Sequence, residues 1–278
     1  MHPPTAIVTD STSDLPAQEA ERLAVTVIPA LVTLEGQTYQ DGAGLSRAEF
    51  YRRLPGLREP ATTAAPAPGV FAEAYEALLH AGAQAVLSLH LSQKLSGLLD
   101  IARQAAAAFG ERVQAFDSQQ VSMGLGFQAA EAARAARGGA PLKAVIDAAR
   151  SARDRARTIA MIDTLEYLRR SGRVGWIRAG LGEVLRVKLL VAVVDGAVQR
   201  LDEVRTRRRA LVELEAHARA WGPLERLAVL HSAIPAQAAA FAARVRDVCP
   251  DPPLVVDVTT VIGTHVGPGS LGLAALTR

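Results

Sequence analysis

The sequence predicts an α/β protein in two lobes: an N-terminal parallel-sheet βαβ domain over residues 1–155, and a C-terminal α+β domain over residues 156–278 with a mixed or antiparallel sheet. Three observations lead there. The 278 residues lie in the range, about 250–300, where a single hydrophobic core stops growing and chains divide. The first half alternates strand-like and helix-like segments, the pattern of βαβ units on a parallel sheet. After Arg155 that alternation gives way to a hairpin signal and longer extended runs.

Ala6-Ile7-Val8-Thr9 is apolar and β-branched, and Asp10-Ser11-Thr12-Ser13-Asp14 supplies loop and capping chemistry before a helix over Pro16–Ala24. Two short strands follow, Val25–Pro29 and Ala30–Leu34, with a turn at Glu35-Gly36-Gln37. Ser46 with Glu49 three residues on forms a capping box for a helix through Leu54. Pro55–Pro68 reads as loop, and Pro68-Gly69 opens a helix ending near Gly82. Strands Ala85–Leu89 and Val113–Phe116 alternate with helices Leu95–Phe109, Val121–Arg137 and Leu142–Arg155.

In the second half Thr158–Ile162 reads as strand and Thr164–Ser171 as a short helix. Arg186–Val194 and Val198–Val204 flank Asp195-Gly196, a strong hairpin turn. Helix Thr206–Trp221, strand Arg226–His231, helix Pro235–Val248 and strand Leu254–Thr260 follow, and Gly263–Gly272 reads as a glycine-rich loop.

Composition narrows the function classes. Nearly half the residues are apolar and about a fifth charged, with Lys and Arg (31) almost balanced by Asp and Glu (28). That balance is not the dense basic face of a general nucleic-acid binder. Cys249 is the single cysteine, so no disulfide forms within the chain. The N-terminus lacks the basic and apolar regions of a signal peptide. The longest apolar candidate, Val184–Val194, is interrupted by Arg186 and Lys188, and no run reaches the roughly 18–20 residues of a membrane span. The expectation is a cytoplasmic protein without integral membrane association or nucleic acid.

Polar groups converge at three strand ends: Asp10–Ser13, Ser92–Gly97 and Asp117–Gln120. Ligands of open α/β sheets bind outside the carboxyl ends of the strands, where helix N-termini favour anions. The same hydroxyls serve equally as helix caps. Thr62 and Thr63 sit in a proline-rich segment that is either a rigid connector or a binding loop. His265 lies among Gly263, Gly267 and Gly269, where exposed backbone can approach an anion, though a lone histidine is also a common structural residue. Arginines cluster at 169, 170, 173 and 178, and at 205 and 207–209. Arg207–Arg209 suit a solvated helix face, whereas Arg173 and Arg205 stand at element ends that can meet a phosphate or a partner. The sequence carries no Walker A loop, complete dinucleotide fingerprint, paired zinc cysteines, His-Glu-x-x-His or Gly-x-Ser-x-Gly elbow. No cofactor, metal or self-contained catalytic set is expected.

Taken together, these segments resemble the DegV family nearly end to end. The resemblance rests on Ile7–Leu15, Val27-Ile28-Pro29 with Asp41-Gly42, Thr63 with Pro66–Phe71, Leu91–Gly97, Asp117-Ser118, Gly172-Arg173 and Gly263–Gly269. It implies a long-chain fatty acid buried between sheet and helices, its carboxylate bonded by Thr63 and Ser96 with His265 beside it. It also implies that Arg173 and Arg205 serve phosphoryl transfer or docking of a separate ATP-binding kinase subunit, with this chain presenting the acid and carrying the acyl phosphate. On that reading the chain is a lipid-binding carrier, not an enzyme. Two departures stand out: the usual Thr-Ser-Gln-Pro-Ser reads Thr63-Ala64-Ala65-Pro66-Ala67, and the usual threonine after Ser-Gly is Leu98. The rival readings are a stand-alone acyl- or phosphoryl-transfer enzyme and a regulatory or nucleic-acid-binding protein using its arginine clusters.

Overall fold

The computed structural model describes residues 4–173, 175 and 187–278. The chain opens with β1 (Thr5–Asp10), α1 (Ala17–Leu23), β2 (Val25–Ile28), β3 (Leu31–Leu34), β4 (Gln37–Gln40), α2 (Arg47–Arg53) and β5 (Thr62–Ala64). It continues through α3 (Pro68–His80), β6 (Ala85–His90), α4 (Leu98–Ala106), β7 (Val113–Asp117), α5 (Met123–Arg137), α6 (Leu142–Arg155), β8 (Ala156–Ile162) and α7 (Glu166–Arg170). The remainder is β9 (Lys188–Val194), β10 (Ala197–Val204), α8 (Arg207–Ala220), β11 (Leu224–His231), α9 (Pro235–Arg244), β12 (Leu254–Asp257), α10 (Thr260–Val266) and β13 (Leu271–Thr277).

Two compact units result: Met1–Ala30 with Ala64–Ala156, and Leu31–Thr63 with Arg157–Arg278. A single cut after residue 155 differs from this division over Leu31–Thr63. That segment makes its own sheet in the order β4-β3-β5 and packs β3 and α2 against α10, more than 200 residues later in the chain. The cut follows sequence order, and packing does not.

In the first unit four parallel strands lie in the order β2-β1-β6-β7. The order reverses between β1 and β6, the topological switch where such sheets bind ligands. Strand periodicity separates the faces. Ile7, Leu87 and Leu89 join Leu125, Ala132, Ala133, Val145 and Ala149 of α5 and α6 in one core. Ser88 and His90 face the other way, toward Tyr75 and Phe71 of α3. The predicted helix from Leu95 begins at Leu98, because Leu91–Gly97 turns first.

The second unit is built on a mixed six-stranded sheet, β10-β9-β8-β13-β11-β12. The Asp195-Gly196 hairpin forms as read, with β9 antiparallel to β10. Helices α8 and α9 bury Ala210, Leu214, Ala218, Ala238 and Phe241 over one face of this sheet. Two expectations are corrected here. The loop Pro55–Pro68 contains the short strand β5. The glycine-rich loop Gly263–Gly272 is largely regular: Thr260–Val266 is helix, and Leu271 begins a strand in the middle of the sheet. Gly263 does not break the helix, because it is the residue that fits there. A Cβ at 263 would lie 2.5 Å from Tyr51 Oη and 2.9 Å from Phe50 Cε1. Arg178 of the arginine cluster and the stretch Val184–Arg186 lie outside the described residues. Among the described residues no helix is long and apolar enough to cross a membrane.

Candidate functional site

Thr63 of β5 and His265 of α10, 202 positions apart, share a hydrogen bond of 3.2 Å between Oγ1 and Nε2. His265 is 7% exposed. Burial pushes its imidazole down to about 4, and the positive charge of Arg173 acts in the same direction. The ring is therefore neutral at pH 7 and offers one donor and one acceptor nitrogen.

Each of these residues is held by identifiable local chemistry. Helix α10 starts where Asp41 accepts from both the backbone N–H of Thr260 (3.2 Å) and its hydroxyl (2.8 Å). A carboxylate at a helix N-terminus satisfies an orphan donor and complements the dipole. Tyr51 donates to the carbonyl of Val258 just upstream at 3.2 Å. At the other end Gly267 takes φ +68°, and a Cβ there would overlap the ring of Tyr167. Arg173 follows the C-terminus of α7. Gly172 adopts φ +72°, the N–H of Arg173 donates to Leu168 O at 2.9 Å, and that of Gly172 donates to Arg169 O at 3.1 Å. These bonds are a Schellman ending, which a glycine one position before the arginine makes accessible. Arg173 also donates through Nη1 to Ser171 O at 3.1 Å.

Arg205 is exposed in the turn between β10 and α8, and no hydrogen bond or ion pair joins it to Thr63, His265 or Arg173. The neighbouring Arg207 is engaged with Asp163 Oδ1 (2.9 Å) and the carbonyl of Gly269 (2.6 Å). Asp163 also pairs with Lys188 at 2.9 Å. In the sequence Asp41 stands out only as part of the Asp41-Gly42 motif. Its partner Thr260 is 219 positions away, so no local pattern could give it this role.

Ser96 belongs to the first unit. It lies in the turn after β6, and its Oγ accepts from the N–H of Leu98, the first residue of α4, at 3.2 Å. The Ser96 hydroxyl hydrogen remains available to an acceptor. The other polar strand ends of this unit are occupied internally. Asp10 accepts from Thr12 N–H at 2.9 Å, Ser11 Oγ from Ala30 N–H at 3.1 Å, and Asp117 from Gln119 N–H at 2.9 Å. Ser122 donates to Asp14 at 2.5 Å and holds φ +55°, ψ −146°, a region that costs a non-glycine residue strain. Among the described residues no group of three or more His, Cys, Asp or Glu is arranged to hold a metal ion.

The fold and this cluster define a two-unit α/β protein that places a hydroxyl, a neutral imidazole and a guanidinium together in its second unit. The DegV family model matches residues 4–278, and the chain belongs to the DegV family. It is 39% identical over 277 residues to a DegV domain-containing protein of Streptomyces coelicolor, covering 98% of each chain. It is 37% identical over 274 residues to one of Deinococcus radiodurans, covering 97% of each. Among solved structures it matches a DegV family protein of Thermus thermophilus, described for its fatty acid binding, with TM-score 0.89, 32% identity and 99% of each chain covered. DegV of Bacillus subtilis, described as a fatty acid binding protein, matches with TM-score 0.87, 29% identity and 99% of each chain covered.

Proposed function

We propose that this chain binds a long-chain fatty acid in a buried apolar tunnel and presents its carboxyl group to a separate ATP-dependent kinase, then carries the acyl phosphate. The observation that carries the reading is the full-length likeness to the Thermus thermophilus protein described as binding fatty acid, together with the Thr63–His265 pair. In this reading the hydroxyls of Thr63 and Ser96 take the carboxylate with His265 beside it, and Arg173 and Arg205 meet the phosphate or the partner.

The physical chemistry suits that task. A C16 chain buries about fourteen methylenes at ~0.8 kcal/mol each, so roughly 11 kcal/mol favours transfer from water. Lost translational and conformational freedom returns several kcal/mol of that. Apolar walls therefore supply most of the affinity, and the polar residues orient the head group. Hydroxyls and a neutral imidazole hold a carboxylate less tightly than a bidentate arginine, which leaves it nucleophilic toward a phosphoryl donor.

Mass spectrometry of lipid extracted from the purified protein tests the binding step. The expected result is one long-chain fatty acid per chain. A protein that neither retains nor takes up such an acid overturns the reading.

A further inference from the structure

The first unit contains a buried hydrogen-bonded chain that ends at the Leu91 amide, where the turn carrying Ser96 begins. Tyr75, Ser88, His90 and Asp10 are all fully buried, on α3, β6 and β1. Tyr75 Oη donates to Ser88 Oγ at 2.9 Å, and burial pushes the Tyr75 hydroxyl up to about 12, so it remains a donor. Ser88 therefore directs its own hydrogen to His90 Nε2, 2.6 Å away. That leaves the ring hydrogen on Nδ1, which donates to Asp10 Oδ2 at 3.0 Å. The same Oδ2 accepts from the backbone N–H of Leu91 at 3.2 Å, while Oδ1 accepts from the N–H and hydroxyl of Thr12.

A carboxylate without access to water is costly unless its lone pairs are filled. Here four donors fill them, and two come from the last residue of β6 and the first residue beyond it. The turn that follows hangs from this point. Ser92 N–H donates to Gln120 O at 3.1 Å, and Ser92 O accepts from Ser96 N–H at 3.2 Å. Phe71 sets its ring edge against the imidazole with centroids 5.4 Å apart, which fixes the ring plane.

We infer that His90 is a positioning residue for Ser96: it orients the Asp10 carboxylate that holds the Leu91 amide, and so sets the turn that presents the Ser96 hydroxyl. The inference rests on the proposed fatty acid reading for its functional meaning, but its geometry stands separately.

Two substitutions separate positioning from packing. His90→Asn places an amide where Nδ1 stands and keeps donation to Asp10. His90→Gln reaches toward Ser88 and abandons Asp10. Both lose the ring and its contact with Phe71, so a loss of packing alone would affect both variants equally. Fatty acid affinity is expected to stay within about twofold of wild type in His90→Asn and to fall about tenfold in His90→Gln. Amide hydrogen exchange over Leu91–Ser96 is expected to accelerate only in His90→Gln. Equal affinity and equal exchange in the two variants overturn the inference. Should the wild-type protein bind no fatty acid, the functional reading fails, and the exchange data alone decide the positioning claim. Should His90→Gln fail to fold, Thr12→Val removes the hydroxyl donor from the opposite oxygen of Asp10 and leaves only the backbone N–H there. Faster Leu91–Ser96 exchange is then expected, and unchanged exchange contradicts the claim.

Discussion

The two units solve the burial of polar groups in opposite ways. In the first, the polar edge of the parallel sheet comes from short local motifs, and the Asp10, Asp14 and Asp117 carboxylates and the Ser11, Ser88, Ser118 and Ser122 hydroxyls are spent on the protein itself. Asp10 alone serves four donors. In the second, the cluster is assembled from distant pieces: Thr63 with His265, Asp41 with Thr260, and Arg173 behind a Schellman turn. Density of hydroxyls at a strand end thus marks structural capping as readily as a site. The informative feature is a polar group with bonding capacity left over, as at the Ser96 hydroxyl.

The largest effect expected from this contrast is at Asp10. Asp10→Ala leaves His90, Leu91 and Thr12 donors buried without acceptors, and breaking such a buried ionic network costs about 3–5 kcal/mol. Denaturant titration should show this loss, and a cost below about 1 kcal/mol would place the carboxylate outside the framework.

The next is the acid limb at His265. Its folded value near 4 lies below the unfolded value of about 6.5. The folded state therefore disfavours protonation. The associated stability is intact above pH 6.5 and is lost progressively as pH falls toward 4, by about 3 kcal/mol in all. Stability measured across that window should fall less steeply in His265→Gln than in wild type. Parallel curves would show that the imidazole titrates normally.

Asp41→Ala should cost about 1–2 kcal/mol as the loss of a helix cap. It should also speed hydrogen exchange in α10 without affecting the parallel sheet. The smallest stability effect is expected at Arg205. Among the described residues this exposed side chain has no hydrogen-bond or ion-pair partner, so Arg205→Ala should change stability by less than about 0.5 kcal/mol. In assays with an added ATP-dependent kinase, Arg205→Ala should slow acyl phosphate formation. Unchanged turnover there would remove Arg205 from the partner surface.

Legibility in the sequence followed the range of the interactions. The βαβ alternation, the Asp195-Gly196 hairpin and the Ser46 cap, whose Oγ accepts from Glu49 N–H at 3.1 Å, depend on neighbours within a few residues. Their patterns are therefore visible. The role of Leu31–Thr63, the cap from Asp41 and the helical state of Thr260–Val266 depend on partners more than 200 positions away. Gly263 reads as part of a loop from its own segment, because the side chain that requires a glycine there, Tyr51, lies far away in the sequence. Leu271–Thr277 was hidden for a related reason. Buried on both faces, it shows no alternation of polar and apolar residues.

The most direct test of the proposed function is a titration of delipidated protein with a C16 to C18 fatty acid, comparing wild type with the Thr63→Ala/Ser96→Ala double variant. Each hydroxyl alone is expected to contribute about 1 kcal/mol, roughly fivefold in affinity, and the double variant should bind far more weakly than either single variant. Identical binding isotherms for wild type and the double variant would contradict the assignment of these hydroxyls to the carboxylate.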